Sequence, residues 1–366
     1  MEKRVIISTG GTGGHINPAI ATAEYLIKNN INVLVVGNDK IEKYLIGKNI
    51  NYKIIKCGST LKSFKSLFNI FVGFLQSLKI IFSFKPRVII GFGSYTTLPV
   101  LLASKFTKKS ILLHEGNSFI GKINNFFLKD AEYLFTSFQE IYGIKINYSN
   151  KIYFTGVPVK EEIRKLYDSE YFLPKKNEKF KILITSGSGG ASFFSDAFLE
   201  VFDYFDKNIR NNLKIYHQVK KEEELEKVKS FYDNLNIENE VKMFFNDMPE
   251  KILESHLVIC RSGIGTASEL AIIGRPVIFF PSPNVTNDHQ LYNANFYKKN
   301  DAALVFEEKY FIAKEFSKTL LELIKNNEQL ISLAKNIKTL AVLDAEERIF
   351  KIVDEICIRE EIKQVV

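Results

Sequence analysis

The stretch Val5-Ile6-Ile7-Ser8-Thr9-Gly10-Gly11-Thr12-Gly13-Gly14-His15 places a short apolar run directly before a cluster of glycines. The apolar residues are contiguous rather than alternating, which is typical of a strand buried on both faces of a parallel sheet. Apolar residues near helical spacing follow in Pro18–Lys28. A strand, a glycine turn and a helix in this order predict the first unit of an α/β fold.

The same pattern recurs along the chain and restarts halfway. Contiguous apolar runs predict further strands at Val33–Val36, Arg87–Gly91, Ser110–Leu113, Tyr133–Thr136, Phe180–Thr185, Leu213–Gln218, Leu257–Cys260 and Pro276–Phe280. A linker is expected near residues 157–160, and 366 residues suit two domains. We therefore predict an α/β protein in which two Rossmann-like domains with parallel sheets face each other across a cleft.

The cysteines and the N-terminus limit the class of protein. Cys57, Cys260 and Cys357 are widely separated, so neither a disulfide framework nor a zinc site is expected. The apolar run after Met1 is too short for a signal peptide. Since about 18 uninterrupted apolar residues occur nowhere, a membrane-spanning helix is not expected either.

Three glycine-rich loops follow predicted strands, at residues 10–14, 186–190 and 262–266. Glycines allow backbone N–H groups to approach a ligand closely, and a helix N-terminus favours negative charge. The dinucleotide fingerprint is incomplete because Ile16 replaces its third glycine. Because all three loops lie at the carboxyl ends of predicted strands, where α/β sheets bind ligands, they still predict a site for a nucleotide diphosphate. Glu269, near the start of a helix, either accepts hydrogen bonds from a ribose or interacts with the helix dipole.

The chain contains no Asp-x-Asp pair, which commonly holds a metal on a sugar nucleotide. A diphosphate leaving group would then be stabilised by backbone amides, hydroxyls and helix N-termini. We expect no metal and no cofactor.

The segment 62–87 is both basic and rich in phenylalanine. Ten Lys or Arg residues and a single acid, Glu115, lie between Leu61 and Lys129, while the whole chain carries +8. Lys62, Lys65, Lys79, Lys85 and Arg87 flank an apolar helical stripe that is wider than core packing requires. This combination favours docking on an anionic membrane surface over burial in a core. No nucleic-acid partner is expected because the phenylalanines cluster with aliphatic residues.

His15, His114 and Glu115 are the candidate acid–base residues. Deprotonation of a sugar hydroxyl needs a base whose pKa lies near the working pH. His15 closes the first glycine loop and is the favoured base, with Glu115 as its rival.

Four motifs in this order resemble the MurG family of peripheral membrane glycosyltransferases. They are residues 10–15, His114-Glu115-Gly116-Asn117, the segment from Cys260 to Glu269, and Asp288-His289-Gln290 followed by Asn293-Ala294. The resemblance covers essentially the whole chain. It implies a GT-B fold and metal-independent, inverting transfer of N-acetylglucosamine from UDP-N-acetylglucosamine to undecaprenyl-linked lipid I, which gives lipid II for peptidoglycan.

The resemblance also assigns site residues. Catalysis and acceptor binding would involve His15, Tyr95, His114, Glu115 and Asn124. Substrate binding would involve Thr12, Gly13, Gly14, Asn117, Lys160, Ser188, the backbone of Phe245, Ile264, Gly265, Thr266, Ala267, Ser268, Glu269 and Gln290. Residues 1–157 would form the acceptor- and membrane-binding domain and 158–340 the UDP-sugar domain. A C-terminal helix at about 341–366 would pack on the first domain.

Several positions depart from the family pattern. Gly116 and Gly189 stand where glutamines are usual, Lys160 replaces an arginine, and Ser94 replaces a glycine before the tyrosine. Lys160 keeps the charge but not a bidentate grip. These departures concern the exact sugar or acceptor preference and not the fold. A related transferase acting on another lipid, a UDP-sugar epimerase and a non-catalytic binding protein are the alternative functions. The expected location is the cytoplasmic face of the cell membrane, as a peripheral protein.

Overall fold

A computed structural model describes residues 2–58, 63–187, 192–285 and 288–365 of the chain. The chain divides into two compact units, which are described separately. Unit 1 comprises Met1–Glu161 and Val342–Val366, and unit 2 comprises Glu162–Ala341. Each unit is built on a parallel sheet.

The described strands of unit 1 form a sheet in the order β3-β2-β1-β4-β5-β6-β7. They are β1 (Arg4–Thr9), β2 (Asn32–Gly37), β3 (Asn51–Ile54), β4 (Val88–Gly91), β5 (Ser110–Glu115), β6 (Tyr133–Thr136) and β7 (Ile152–Phe154). Those of unit 2 form a sheet in the order β10-β9-β8-β11-β12-β13. They are β8 (Phe180–Thr185), β9 (Leu213–Gln218), β10 (Glu238–Lys242), β11 (Leu257–Cys260), β12 (Val277–Phe279) and β13 (Leu304–Val305).

Helices connect the parallel strands, as parallel pairing requires. In chain order they are α1 (Gly13–Lys28), α2 (Glu42–Leu45), α3 (Phe64–Phe84), α4 (Leu98–Phe106), α5 (Lys122–Phe127), α6 (Glu161–Arg164), α7 (Lys207–Asn211), α8 (Glu222–Asn234), α9 (Met248–Glu254), α10 (Ile264–Ile273), α11 (His289–Lys299), α12 (Ala313–Lys325), α13 (Asn327–Thr339) and α14 (Ala345–Val365). The predicted strands are all present, and each ends at the same edge of its sheet.

The C-terminal helix α14 completes the core of unit 1. Its residues Ile349, Val353 and Ile356 are buried in one cluster with Val5 and Ile7 of β1. The last helix of the chain is therefore folded into the unit that contains the first strand.

Helix α3 packs through a stripe of mainly small residues. Ser66, Ile70, Gly73, Ser77 and Ile81 are buried and recur every three or four positions, which is one face of a helix. A Cβ atom on Gly73 would lie 1.9 Å from the carbonyl oxygen of Lys56, so glycine is needed for this close approach.

The opposite side of α3 is apolar and exposed, and we call it the α3 outer face. It consists of Phe64, Leu67, Phe68, Phe71, Leu75 and Phe82. Helix α3 also has the length and composition of a membrane span, whereas the sequence predicted no such helix. That prediction rested on Lys65, Gln76 and Lys79, which interrupt the apolar run, and it stays a prediction because length and composition alone do not show that a helix spans a membrane.

Arg87 does not belong to the basic surface predicted for residues 62–87. Its side chain is buried, and it donates hydrogen bonds to the carbonyl oxygen of Cys357 and to the Glu361 carboxylate, at 2.8 and 2.7 Å. Lys65, Lys79 and Lys85 are exposed. Lys62 lies outside the described residues. Arg87 therefore ties β4 to α14 instead of facing a partner.

Candidate functional site

The first group of candidate residues lies at the carboxyl edge of the unit 1 sheet. Strands β1, β4 and β5 are neighbours, and the loops that follow them carry residues 10–15, 92–95 and 116–121. Ligands of α/β sheets bind at this edge. The fold thus brings the loop at residues 10–15 together with two segments that lie about 80 and about 105 residues later in the sequence.

The first glycine loop is tightly packed against its neighbours. A Cβ atom on Gly10 would lie 2.7 Å from both Asn38 Oδ1 and Thr96 Oγ1. Gly11 has a φ of +83°, and a Cβ atom there would lie 2.8 Å from Ser94 Oγ. These glycines are needed by the packing of the loop, whether or not a ligand is bound.

The second half of that loop begins α1 and is partly exposed, at Thr12 and Gly14, whereas Gly13 is buried. Thr12 is exposed at the N-cap position, and the carbonyl of Thr12 accepts hydrogen bonds from the backbone N–H groups of His15 and Ile16, at 3.0 and 3.1 Å. Gly13 and Gly14 form the first turn, which contains no acidic residue. The N-terminus of a 16-residue helix therefore remains electrostatically suited to an anion.

His15 lies in the first turn of α1 and points towards Gly93. Thr9 Oγ1 donates to the carbonyl of His15 at 3.0 Å, which fixes the backbone at this point. A Cβ atom on Gly93 would lie 3.3 Å from His15 Cδ2 and 3.5 Å from Asn124 Nδ2. The absence of a side chain at position 93 leaves room for His15 and Asn124 to approach one another.

His114 is buried and electrically neutral at pH 7. Its ring stacks on Phe92 with 4.8 Å between centroids and hydrogen-bonds to the backbone of Gly156. Burial lowers the pKa of His114 to about 4. No described residue partners its Nε2 atom. A neutral imidazole of this pKa accepts hydrogen bonds at pH 7 but is a weak proton acceptor.

Glu115 holds the loop that follows β5. One carboxylate oxygen accepts from the backbone N–H and the side-chain amide of Asn117, at 3.1 and 3.2 Å. The other accepts from the backbone N–H of Gly121 and from Asn124 Nδ2, at 2.8 and 2.9 Å. Burial, the largest influence, raises the pKa of Glu115. With four hydrogen bonds made, this carboxylate is suited to positioning the loop.

Two further candidates of unit 1 occupy different surroundings. Tyr95 is half-buried at the start of a short turn before α4. Lys160 is half-buried just before α6. The structure places His15 and Asn124 beside Gly93. Hydrogen bonds then link Asn124 to His114 and Glu115, and Glu115 to Asn117.

The second group of candidates lies at the carboxyl edge of the unit 2 sheet. Ser188 and Gly189 lie outside the described residues. Gly187 lies two residues beyond the end of β8, and a Cβ atom on it would lie 3.6 Å from Thr266 Oγ1 in the first turn of α10. The second and third glycine loops therefore meet at this edge.

Helix α10 contributes both buried and accessible positions. Ile264 and Ala267 are buried in the core, so their side chains do not face a ligand. Gly265, Thr266 and Glu269 are partly exposed. Among the described residues, no atom outside the local backbone of α10 lies within 4 Å of the place that a Cβ atom on Gly265 would occupy, so these residues leave the helix N-terminus open there.

Ser268 and Phe245 face the protein interior. The Ser268 side chain hydrogen-bonds to Tyr297 of α11, which ties the two helices together. The Phe245 ring is 1% exposed and lies edge-on to Tyr216. A ligand near Phe245 would therefore meet its backbone and the exposed neighbour Phe244.

Gln290 closes the loop between β12 and α11. Its side-chain oxygen accepts a hydrogen bond from the Ser282 backbone N–H at 2.9 Å. Its carbonyl accepts from Ser262 Oγ at 2.7 Å, and Asn293 Nδ2 donates to the Ser262 carbonyl at 3.2 Å. The loops after β11 and β12 are thus joined by polar side chains.

Two residues of this edge were not predicted from the sequence. Thr185 and Gln218 end β8 and β9 and hydrogen-bond to each other at 2.6 Å. A polar residue that ends an apolar strand is the signal that could have found them. No group of three or more His, Cys, Asp or Glu side chains suited to a metal occurs among the described residues.

Comparisons with known proteins agree on the family. Residues 5–136 match the glycosyltransferase family 28 N-terminal domain, and residues 181–349 match the C-terminal domain of that family.

The curated relatives include enzymes named UDP-N-acetylglucosamine–N-acetylmuramyl-(pentapeptide) pyrophosphoryl-undecaprenol N-acetylglucosamine transferase. That of Wolbachia pipientis subsp. Culex pipiens is 33% identical over 337 residues, covering 91% of this chain and 94% of the relative. That of Rickettsia felis is 32% identical over 344 residues, covering 92% and 94%.

Solved structures share the fold. The crystal structure of Acinetobacter baumannii MurG has a TM-score of 0.77 at 22% identity and covers 96% of this chain and 99% of its own. The UDP-GlcNAc 2-epimerase of Neisseria meningitidis has a TM-score of 0.65 at 14% identity, covering 97% and 100%. At these identities the likenesses show the fold alone, which is GT-B. With relatives above 30% identity over nine-tenths of its length, the chain belongs to glycosyltransferase family 28 and, within it, to the MurG family.

Proposed function

We propose that this glycosyltransferase transfers N-acetylglucosamine from UDP-N-acetylglucosamine to the undecaprenyl-linked N-acetylmuramyl-pentapeptide acceptor, lipid I, and so forms lipid II. The main support is 33% identity to a relative with that name over 91% of this chain. The two groups of candidate residues, one in each unit, suit this reaction because a donor and an acceptor must both be held.

In unit 2 the open N-terminus of α10 and the backbone at Gly187 suit the donor diphosphate. Gly265 leaves room for a phosphate beside the first turn of the helix. Glu269 is partly exposed one turn later and suits the ribose hydroxyls. As the glycosidic bond breaks, backbone amides and the helix N-terminus stabilise the charge that develops on UDP.

In unit 1 the geometry favours His15 as the base. Glu115 already accepts four hydrogen bonds, and burial leaves His114 with a pKa of about 4. His15 lies at the loop beside Gly93 and is partly exposed. In this proposal His15 accepts the proton of the attacking acceptor hydroxyl, while Glu115 and Asn124 keep the surrounding loop in place.

The enzyme test uses purified protein, UDP-N-acetylglucosamine and a lipid I analogue. We expect turnover that persists in EDTA and falls about 10²- to 10⁴-fold in His15→Ala, the usual range for loss of a general base. Conversion of the UDP-sugar without any acceptor would instead indicate an epimerase. An unchanged rate in His15→Ala would place the base elsewhere.

We further propose that the α3 outer face docks on the cytoplasmic face of the cell membrane. Phe64, Phe68, Phe71 and Phe82 are 87, 60, 58 and 63% exposed, which is costly in water. Lys65, Lys79 and Lys85 lie beside them and suit anionic headgroups. Because the other side of α3 packs on unit 1 through Gly73, the helix suits a peripheral position on the surface.

The membrane test compares two sets of phenylalanine variants. We expect Phe68→Ser with Phe71→Ser to weaken partitioning onto anionic vesicles at least tenfold, since each removes exposed apolar area. Phe172→Ser in unit 2, where the ring is 64% exposed, is the matched control and should bind vesicles normally. Equal partitioning of both variants would contradict docking through α3.

A further inference from the structure

A chain of side-chain hydrogen bonds crosses the carboxyl edge of three adjacent strands in unit 2. Thr185 is the last residue of β8, Gln218 is the last residue of β9, and Met243 directly follows β10. Strands β8, β9 and β10 are consecutive in the sheet. This chain of hydrogen bonds therefore joins the loop after β8 to the loop after β10, across β9.

In this chain of hydrogen bonds each group donates to the next, and the donors and acceptors cannot exchange roles. The Gly187 backbone N–H donates to Thr185 Oγ1 at 3.1 Å. Thr185 Oγ1 donates its only proton to Gln218 Oε1 at 2.6 Å. Gln218 Nε2 then donates to the Met243 carbonyl at 3.2 Å. Each group uses the polarity that its neighbour requires, so the three contacts strengthen one another.

The pairing of strands β8, β9 and β10 does not depend on this chain of side-chain hydrogen bonds. The backbone ladder already joins β8 to β9 as far as Ile184 and His217, and β9 to β10 as far as Gln218 and Lys242. The side chains of Thr185 and Gln218 act one step beyond the ladder, on Gly187 and Met243. Gly187 lies in the second glycine loop, and Met243 begins the loop that contains Phe245.

We propose that Thr185 and Gln218 are positioning residues that fix the distance between the phosphate end and the base end of the nucleotide site. This inference rests on the proposed function, in which Gly187 faces the diphosphate and the backbone near Phe245 faces the uracil. A ligand that spans both loops gains affinity when their separation is set before binding. A ligand that touches one loop alone gains nothing from it.

The test compares UDP with uridine on the full-length protein. We expect Gln218→Ala to raise the Kd for UDP about tenfold, the upper range for one lost hydrogen bond, while the Kd for uridine changes less than twofold. The KM for the sugar donor should rise by the same factor, and kcat should change less than twofold. Calorimetry for UDP and ligand-observed NMR for uridine supply the two affinities.

Two variants of Thr185 make the test independent of one substitution. Thr185→Val keeps the shape of the side chain without the hydroxyl, and we expect it to weaken UDP binding as Gln218→Ala does. The double variant, with Thr185→Val and Gln218→Ala, should lose little more UDP affinity than either single variant, because both substitutions interrupt the same chain of hydrogen bonds. Thr185→Ser restores the hydroxyl and should bind UDP like the parent protein.

Asn212→Ala is the control, since Asn212 precedes β9 at the opposite edge of the sheet and its side chain donates to the nearby Asn208 carbonyl at 2.9 Å. It should leave UDP binding unchanged. Normal UDP binding by Gln218→Ala and Thr185→Val, or an equal loss of UDP and uridine, would overturn the inference alone. Failure of the unmodified protein to bind UDP would overturn the proposed function and this inference with it.

Discussion

Ser94 adopts a backbone conformation that is almost reserved for glycine. Its φ and ψ are 70° and 154°, a region that costs a residue with a Cβ atom about 1–3 kcal/mol. The MurG family, which this sequence resembles, usually has glycine at this position. The chain therefore carries local strain beside the first glycine loop, where Ser94 Oγ approaches Gly11.

Replacing Ser94 by glycine should stabilise unit 1. Relief of the strain outweighs the greater freedom of glycine in the unfolded chain, which costs about 0.5–1 kcal/mol. We expect Ser94→Gly to raise the free energy of unfolding by about 1 kcal/mol, measured by urea unfolding. Ser94→Ala keeps the Cβ atom and should give no gain; equal stabilisation by both variants would contradict the argument.

Glu115 should not tolerate replacement by its amide. Each carboxylate oxygen accepts from two N–H groups, so either orientation of a glutamine would direct its NH₂ group at two donors. We expect Glu115→Gln to destabilise unit 1 by about 1–3 kcal/mol, the cost of unsatisfied buried polar groups. Thermal unfolding measures this loss.

The control for Glu115 is Glu140→Gln, because Glu140 is exposed in the same unit. It should unfold like the parent protein, and the same behaviour in Glu115→Gln would refute a positioning role. The sequence identified Glu115 as a candidate because it follows a strand. It could not show that the donors of Asn117, Gly121 and Asn124 converge on it, since that depends on the path of the loop.

At the scale of elements, the strands that the sequence did not predict are the edges of both sheets. They are β3, β7, β10 and β13. Central strands are buried on both faces and read as contiguous apolar runs, which the sequence reveals directly. Edge strands are half-exposed and short: β10 is Glu-Asn-Glu-Val-Lys and β13 has two residues. The pairing of an edge strand depends on the neighbouring strand, so the local sequence pattern does not reveal it.

Helix α3 offers a prediction about packing. A Cβ atom on Gly73 would collide with the backbone oxygen of Lys56, which cannot move without shifting the segment after β3. We expect Gly73→Ala to destabilise unit 1 by about 3 kcal/mol, as overpacking of a core does. Gly265→Ala in α10 is the matched helical control for stability, because its new Cβ atom meets none of the described residues outside the local helix backbone within 4 Å. Urea unfolding of both variants tests this prediction. Equal urea midpoints for Gly73→Ala and Gly265→Ala would contradict the close packing of α3 at Gly73.

At the scale of the whole molecule, the two units differ in the ionisable groups that they bury. Burial lowers the pKa of His114 in unit 1 to about 4, of His217 in unit 2 to about 3 and of His256 in unit 2 to about 4. An unfolded histidine titrates near 6.5. Below that pH the unfolded chain binds protons that the folded chain excludes, so these histidines make stability fall as the pH falls.

Protonation of Glu115, which lies in unit 1, has the opposite effect on stability. Its pKa is raised, so the folded state binds its proton before the unfolded state does, which offsets part of the loss from His114 as the pH falls. Between pH 6.5 and 4.5 we therefore expect unit 2 to lose stability more steeply than unit 1. The limiting slopes are about 2.7 kcal/mol per pH unit for two protons and about 1.4 for one.

Hydrogen exchange, corrected for the intrinsic effect of pH, measures the two slopes separately from peptides of β1–β5 and of β8–β11. His217→Phe removes one titrating group and should bring the slope of unit 2 down towards that of unit 1. Parallel slopes in the parent protein would mean that the buried histidines take up protons without unfolding. The difference follows from placing two neutral histidines in the core of one unit and a histidine with a buried carboxyl group in the other.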